Sequence, residues 1–144
     1  MQKIFLCTCF VLALFLHMPT QRASLSFLNG EHTFYSTQMQ TFDGCNVVKN
    51  GNIYHISCNT TTAKKLKVKN LVGQSVKLVG NKDDFYNVCK KLGKIKSQYN
   101  VDGIVVAEGV SQKLKKAKNL ATNFQVAFDG KYITVGAPVI IGSF

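Results

Sequence analysis

The residues of this chain with the greatest chemical reactivity are its five cysteines and three histidines. Three cysteines, Cys45, Cys58 and Cys89, lie outside the apolar N-terminal stretch. Cys45 and Cys58 flank a predicted hairpin, and they form either a disulfide or two free thiols. A cysteine–histidine nucleophile would need His55 beside one of these thiols. Because neighbouring residues of a strand alternate between faces, His55 points away from both cysteines, and His32 lies in a segment without a clear pattern.

Metal binding and carboxylate catalysis are not indicated by the remaining candidates. The cysteines and histidines lack the spacings that place several ligands on one metal ion. Asp83 and Asp84 fit the first turn of a helix, and Asp102 and Asp129 fit tight turns. We therefore predict a non-catalytic protein without a metal or cofactor. The alternative is a small secreted enzyme whose site has no recognisable motif.

The hairpin between Cys45 and Cys58 has two registers that the sequence does not separate. A type I′ turn at Asn50-Gly51 places Cys45 opposite Ile56. A type II′ turn at Gly51-Asn52 places Cys45 opposite Cys58 in a non-hydrogen-bonded pair. Only the second register brings the two sulfur atoms within bonding distance.

Lysine dominates the charge of the chain and supplies the main candidate for a binding surface. The net charge is +11, and Arg22 is the only arginine. A lysine side chain is a hydrated point charge, which suits diffuse attraction to anionic polymers or lipid headgroups, whereas a solvated face that keeps the protein soluble is the alternative. No aromatic residues interleave with the lysines for base stacking, so we expect no nucleic acid partner. The candidate anion-binding residues are Lys64, Lys65, Lys67, Lys69, Lys113, Lys115, Lys116 and Lys118.

The N-terminus resembles a targeting segment in its layout. Lys3 precedes an apolar run from Ile4 to Met18, and a polar stretch begins at Pro19. This layout is typical of a secretory signal peptide, with Ala23 as the candidate last residue. The run is shorter than the roughly 20 residues of a transmembrane helix. We predict a signal peptide over 1–23, or an uncleaved N-terminal anchor, followed by one domain over 24–144 that acts outside the cytoplasm.

Helical signals occur in two places. Phe85, Val88, Cys89 and Leu92 recur at the spacing of one helix face, after a capping residue at Asn81, and they predict a buried, unreactive Cys89. Thr60 to Val72 is ambiguous, because its lysines alternate as in a strand while its ends look like helix ends. We predict a helix there, followed by a strand over 74–79.

Two further hairpins are predicted. Asp102-Gly103 forms the turn of the first, and the pairs on one face are Val101 with Ile104, Tyr99 with Val106, Ser97 with Glu108 and Ile95 with Val110. The polar pair suggests a sheet rim. In the second, an Asp129-Gly130 turn pairs Phe128 with Lys131, Val126 with Ile133 and Phe124 with Val135, which leaves Gln125 and Ala127 on a face toward water. Together the elements predict an α+β domain with a mostly antiparallel sheet and two helices.

The C-terminal half resembles a known family at two motifs. Residues 123–128, Asn-Phe-Gln-Val-Ala-Phe, are similar to the Asn-Leu-Gln-Ile-Ala-Leu of the YwmB-like, or TATA-box-binding-like, family of exported proteins from endospore-forming Firmicutes. Residues 133–140, Ile-Thr-Val-Gly-Ala-Pro-Val-Ile, resemble that family's Val-Thr-Val-Gly-Thr-Pro-Ile-Val. The resemblance implies a curved antiparallel sheet with two helices on one face, as in the TATA-binding protein. It does not imply DNA binding, because a shared fold is no evidence of a shared function.

The resemblance implies an exported protein of unassigned activity, associated with sporulation or the cell envelope. With the lysine-rich surface, it leads us to expect contacts with an envelope polymer, an anionic membrane surface or another exported protein.

Overall fold

The computed structural model describes residues 21–22, 25–114 and 120–141. The predicted signal peptide lies outside the described residues except for Gln21 and Arg22. The elements are β1 (Gln21–Arg22), β2 (Glu31–Ser36), β3 (Asn46–Asn50), β4 (Ile53–Cys58), α1 (Thr60–Ala63), β5 (Lys67–Val68), β6 (Leu71–Val79), α2 (Lys82–Leu92), β7 (Lys94–Val101), β8 (Ile104–Val110), β9 (Phe124–Phe128) and β10 (Tyr132–Ala137).

Eight of the strands form one antiparallel sheet. Their order is β3-β4-β2-β6-β10-β9-β8-β7, so β3 and β7 are the edge strands of this sheet. The short strands β1 and β5 pair separately. The structure confirms the predicted α+β class with a sheet and two helices. The polar pair of Ser97 and Glu108 lies at the rim of the sheet, as predicted, because β7 is an edge.

Helix α2 forms where its sequence pattern predicts. The Asn81 side chain accepts a hydrogen bond from the Asp84 N–H, and the Asp84 carboxylate accepts one from the Asn81 N–H. These two bonds satisfy backbone donors that a helix N-terminus otherwise leaves free. The predicted apolar stripe, including Cys89, is buried.

The core covers one face of the sheet in two clusters. Val76 belongs to the first cluster and Phe34 to the second. The two residues lie on the same face of the sheet, because His32 pairs with Val76 and is two residues from Phe34. Helix α2 belongs to the first cluster and α1 to the second, so both helices cover the same face. The first cluster includes Leu25, Leu28, Val76, Phe85, Val88, Leu92, Phe124, Val126, Ile133 and Val135. The second comprises Phe34, Ile56, Cys58, Ala63, Leu66, Val68 and Leu71.

The helix predicted over Thr60 to Val72 is wrong beyond Ala63. After α1, the chain runs through the short strand β5 into β6. Leu66 and Val68 are buried while Lys67 and Lys69 are exposed, which is the alternation of an extended chain. The strand-like periodicity therefore determined the structure, because it lets two apolar side chains enter the second cluster.

The C-terminal hairpin has its predicted apolar face but a different register. Phe128 pairs with Ile133 and Val126 with Val135, two residues away from the predicted partners. The turn moves because the Asp129 carboxylate accepts hydrogen bonds from the N–H groups of Lys131 and Tyr132, at 2.9 and 2.7 Å. A shift of two residues keeps the same side chains on the core face.

The opposite face of β9 is not open to water as predicted. Gln125 is 9% exposed and Ala127 only 2%. The amide oxygen of Gln125 accepts a hydrogen bond from the N–H of Ile140, in the segment that follows β10. The chain therefore turns back over this face after its last strand.

The other two hairpins resolve the remaining registers. Asn46 pairs with Ser57, which places Cys45 opposite Cys58 and selects the second of the two possible registers. In the hairpin of β7 and β8, the pairs near the turn agree with prediction. An irregularity between Ile95 and Ser97 makes Ile95 pair with Gly109 and not, as predicted, with Val110.

Candidate functional site

The lysines at 64, 65, 67 and 69 lie on one stretch of chain, here called the basic segment (residues 64–69), which runs from the turn after α1 into the short strand β5 and a second turn. All four are exposed, while Leu66 and Val68 between them are 7% and 0% exposed. No acidic residue lies between Thr60 and Asn70 in the sequence. The buried side chains fix the segment to the core and leave the ammonium groups in solvent.

Hydrogen bonds from the segment after β2 hold the end of the basic segment in place. Gln40 bonds the Lys69 backbone twice, accepting from its N–H at 2.8 Å and donating to its carbonyl oxygen at 2.7 Å. The Ser36 hydroxyl donates to the same carbonyl oxygen at 2.7 Å. Asn70 has a positive φ of 52° and donates from its side chain to Gln38. The backbone that carries the lysines is therefore preorganised.

The positive charge of Lys64 in the basic segment affects the pKa of the buried His32. His32 is 1% exposed, and its Nε2 bonds the Leu28 carbonyl oxygen at 3.0 Å. Burial lowers the pKa of His32, the bond to Leu28 opposes this shift, and the positive charge of Lys64 adds to it. Its Nδ1 has no hydrogen-bond partner within the described chain.

Lys113 belongs to a different part of the surface. Its Nζ donates to the carbonyl oxygen of Lys91 at 2.9 Å and lies 4.9 Å from the ring centre of Phe27. A cation at this position satisfies a carbonyl in the last turn of α2 and complements the helix dipole. Lys113 thus has a structural role, and Lys115, Lys116 and Lys118 lie outside the described residues.

Cys45 and Cys58 face each other across β3 and β4. Both are free thiols, and Cys58 is buried while Cys45 is partly exposed. Burial raises the pKa of Cys58 to about 12, and burial also raises the pKa of Cys45. Smaller contributions come from the neighbouring thiol: Cys58 lowers the pKa of Cys45, and Cys45 raises the pKa of Cys58. At neutral pH they are protonated, so neither is an activated nucleophile.

The two described histidines, His32 and His55, lie on opposite faces of the sheet. His55 lies on the face away from the cysteines, as predicted, and its ring contacts Tyr35 edge-on at 4.8 Å between ring centres. His32 pairs directly with Cys58 and lies on the same face. The sequence alone does not reveal this neighbour, because the pairing requires the relative placement of β2 and β4, although the buried positions of β2 alternate over Glu31 to Phe34.

A polar network at the sheet rim was also missed. The Glu108 carboxylate accepts hydrogen bonds from the Tyr99 hydroxyl and the Gln125 amide, both at 2.9 Å. Partial burial and the bond to Glu108 raise the pKa of Tyr99. The signal for this network was the polar pair on an apolar stripe, and finding Gln125 in it required the order of the strands.

The other chemically relevant residues have structural positions. Asp83 and Asp84 are in the first turn of α2, and Asp129 shapes its turn. Burial raises the pKa of Cys89 to about 11, consistent with an inert thiol. Among the described residues, no three His, Cys, Asp or Glu side chains come together as metal ligands.

No protein-family model, curated protein or solved structure matches the chain. Within residues 21–22, 25–114 and 120–141, no helix is both long enough and apolar enough to cross a membrane.

Proposed function

We propose that this is an exported, non-catalytic binding protein that acts at the cell envelope through its basic segment. The observation that carries the proposal is the cluster of four exposed lysines on a clamped, acid-free stretch of chain. The partner is an anionic surface or polymer, or an exported protein with an acidic face. The YwmB-like resemblance, with its sporulation context and curved TATA-binding-protein-like sheet, belongs to the same proposal.

The geometry supports binding of a diffuse charge more than recognition of one small anion. The lysine side chains project from two turns and from the short strand β5 between them. Lysine binds as a point charge, without the planar two-point contact that arginine makes with a phosphate. Such a surface attracts a polymer or membrane that presents many negative charges within a screening length.

A non-catalytic role is supported by the chemistry of the reactive groups. The thiols have raised pKa values, and the acidic residues at 84 and 129 accept hydrogen bonds that shape a helix end and a turn. The buried His32 has a lowered pKa. These groups serve packing and local structure.

Co-sedimentation with anionic phospholipid vesicles tests the proposal, with an anionic wall polymer in a parallel arm. The variant replaces Lys64, Lys65, Lys67 and Lys69 by Gln. A lysine near an anionic membrane contributes about 1 kcal/mol, so we expect the affinity to fall by about a hundredfold or more. Wild-type binding should weaken as salt rises from about 0.1 M to about 1 M, because the screening length falls from about 10 Å to about 3 Å.

The matched control replaces four other exposed lysines, Lys82, Lys90, Lys94 and Lys96, by Gln. Both variants lose the same charge, so a loss confined to the first assigns binding to the basic segment. Equal losses in both would reduce the effect to net charge. No binding at low salt to vesicles, wall polymer or exported proteins would reject the proposal.

A further inference from the structure

The face of the sheet opposite α1 and α2 carries a row of small polar side chains. The pairings Asn46 with Ser57, Ser57 with Thr33 and Thr33 with Ser75 align four residues across β3, β4, β2 and β6. The row runs perpendicular to the strands. It is formed by residues from four separate segments of the chain.

The segment after β10 ends this row. Gly136 is the next residue in the row, since it pairs with Ser75. A Cβ atom on Gly136 would lie 2.4 Å from the backbone nitrogen of Ile140, so a side chain is excluded there. Residues 138–141 cross the face at this point and form a wall.

A hollow of about 180 Å³ lies between this wall and the row. Thr33, Tyr35, Ser75 and Thr134 supply its hydroxyl groups, and Ile140 and Ile141 supply an apolar side. A wider, shallower depression of about 450 Å³ adjoins it, lined by Asn46 and Ser57 among others. Glu31 lines both. We call the two together the polar groove, which runs from the β3 edge to the wall.

The hydroxyl groups of the polar groove bond each other but keep capacity for a ligand. Thr33 and Ser57 hydroxyls are 3.3 Å apart, and those of Tyr35 and Ser75 are 3.1 Å apart. Each hydroxyl can donate once and accept more than once, so one such bond leaves positions unused. A ligand with both donors and acceptors would satisfy them.

The charges around the hollow disfavour an anionic ligand. Glu31 and Lys77 are opposite each other in the register of β2 and β6, and Asp129 also lines the hollow. An anion would meet two carboxylates against one ammonium group, and a purely apolar ligand would remove water from several hydroxyls without replacing their hydrogen bonds. The hollow is smaller than the roughly 300–1,000 Å³ of pockets for drug-sized ligands, so it suits one small ring.

We propose that the polar groove binds a neutral oligosaccharide, with one sugar ring in the hollow against Ile140 and Ile141. A sugar ring presents hydroxyls that both donate and accept, and its C–H groups suit the apolar wall. The adjoining depression extends the groove for further rings. The hollow is on the face of the sheet opposite the second cluster, which the basic segment covers, so it is distinct from the proposed anion contact.

Titration of the full chain, labelled with ¹⁵N, tests this proposal by NMR. The probes are the β-1,4-linked tetramers of N-acetylglucosamine and of glucose, and the α-1,4-linked tetramer of glucose. We expect at least one tetramer to shift the amide signals of Thr33, Ser75 and Ile140. The double variant Tyr35→Phe/Thr33→Val removes two hydroxyls and should weaken that binding about tenfold or more.

Tyr54→Phe is the matched control. His55 pairs with Tyr35 and therefore lies on the face of the groove, and its neighbour Tyr54 lies on the opposite face of the sheet. Its affinity should stay within about twofold of wild type. Lys77→Gln, at an exposed rim position, tests the same site if the double variant unfolds, and should weaken binding measurably. The proposal is overturned if no tetramer shifts groove signals at millimolar concentration, or if the control weakens as much as the groove variants. The variant that replaces the four lysines of the basic segment by Gln should bind the tetramers as the wild type does, even if it no longer binds vesicles.

Discussion

At the scale of single residues, burial controls the reactivity of the thiols. Burial raises the pKa values of Cys58 and Cys89 to about 12 and about 11. A protonated thiol is a poor nucleophile, but two neighbouring thiols can still be oxidised slowly through their small thiolate fraction. Cys45 and Cys58 are opposed across two strands, whereas Cys89 lies alone in the core.

We predict that an oxidising compartment joins Cys45 and Cys58. Each thiol loses a proton and an electron, and an oxidised small-molecule disulfide is the acceptor. The bond would contribute about 3 kcal/mol to stability in the chain-entropy picture for a loop near 15 residues. Without a reductant, mass spectrometry after treatment with an alkylating agent should find neither Cys45 nor Cys58 alkylated. After reduction, it should find both alkylated.

The matched variant for this prediction is Cys45→Ser, which should have the stability of the reduced wild type under both conditions. Cys89→Ser should retain the response to reductant. Alkylation of both Cys45 and Cys58 in protein taken from its native compartment would show that the disulfide does not form.

At the scale of elements, α2 is stabilised at both ends by side chains. Asn81 and Asp84 bond each other's backbone at the N-terminus, and Lys113 bonds a carbonyl of the last turn. Asp83 and Asp84 lie near the positive end of the helix dipole, and Lys90 and Lys91 near the negative end. These local interactions agree with the apolar stripe, so the helix is specified at several levels at once.

We predict that Asn81→Ala lowers the free energy of unfolding by about 1 kcal/mol, because it removes the N-terminal cap. Asn87→Ala is the control, since Asn87 is exposed within the same helix and alanine favours helix formation. Urea denaturation measures both changes. Equal stability of the two variants would contradict a capping role for Asn81.

At the scale of the whole molecule, the helices cover one face of the sheet, and the residues just before β2 take part in this covering. Leu25 and Leu28 are 0% and 3% exposed and belong to the same cluster as α2. Phe27, between them, is 41% exposed. A mature chain that begins near Ser24 would keep both leucines in its core.

Leu25→Ala and Leu28→Ala should each lower the free energy of unfolding by about 2–5 kcal/mol, because each leaves a cavity in the first cluster. Phe27→Ala should cost about 1 kcal/mol or less, since it loses mainly a contact with Lys113. Urea denaturation of the three variants gives the comparison. A cost for Leu25→Ala no larger than that for Phe27→Ala would place residue 25 outside the core.

The candidate sites were predictable to different degrees. The lysines of the basic segment are visible in the sequence, but their clamp by Gln40 joins residues 29 positions apart. The polar groove was not predictable, because its row requires the register of β3, β4, β2 and β6 together. The pairing of His32 with Cys58 required the same information.

The sequence by itself determined helix α2, the predicted turns at residues 102–103 and near 129, and which side chains of the last hairpin face the core. Caps, turn preferences and periodicity act over a few residues, so the local sequence contains them. Only the tertiary structure decided the course of residues 64–70 and the return of residues 138–141 across the face of the sheet opposite the helices. Those outcomes depend on burial and hydrogen bonds between distant segments, whose free energies exceed the weak local preferences that they override.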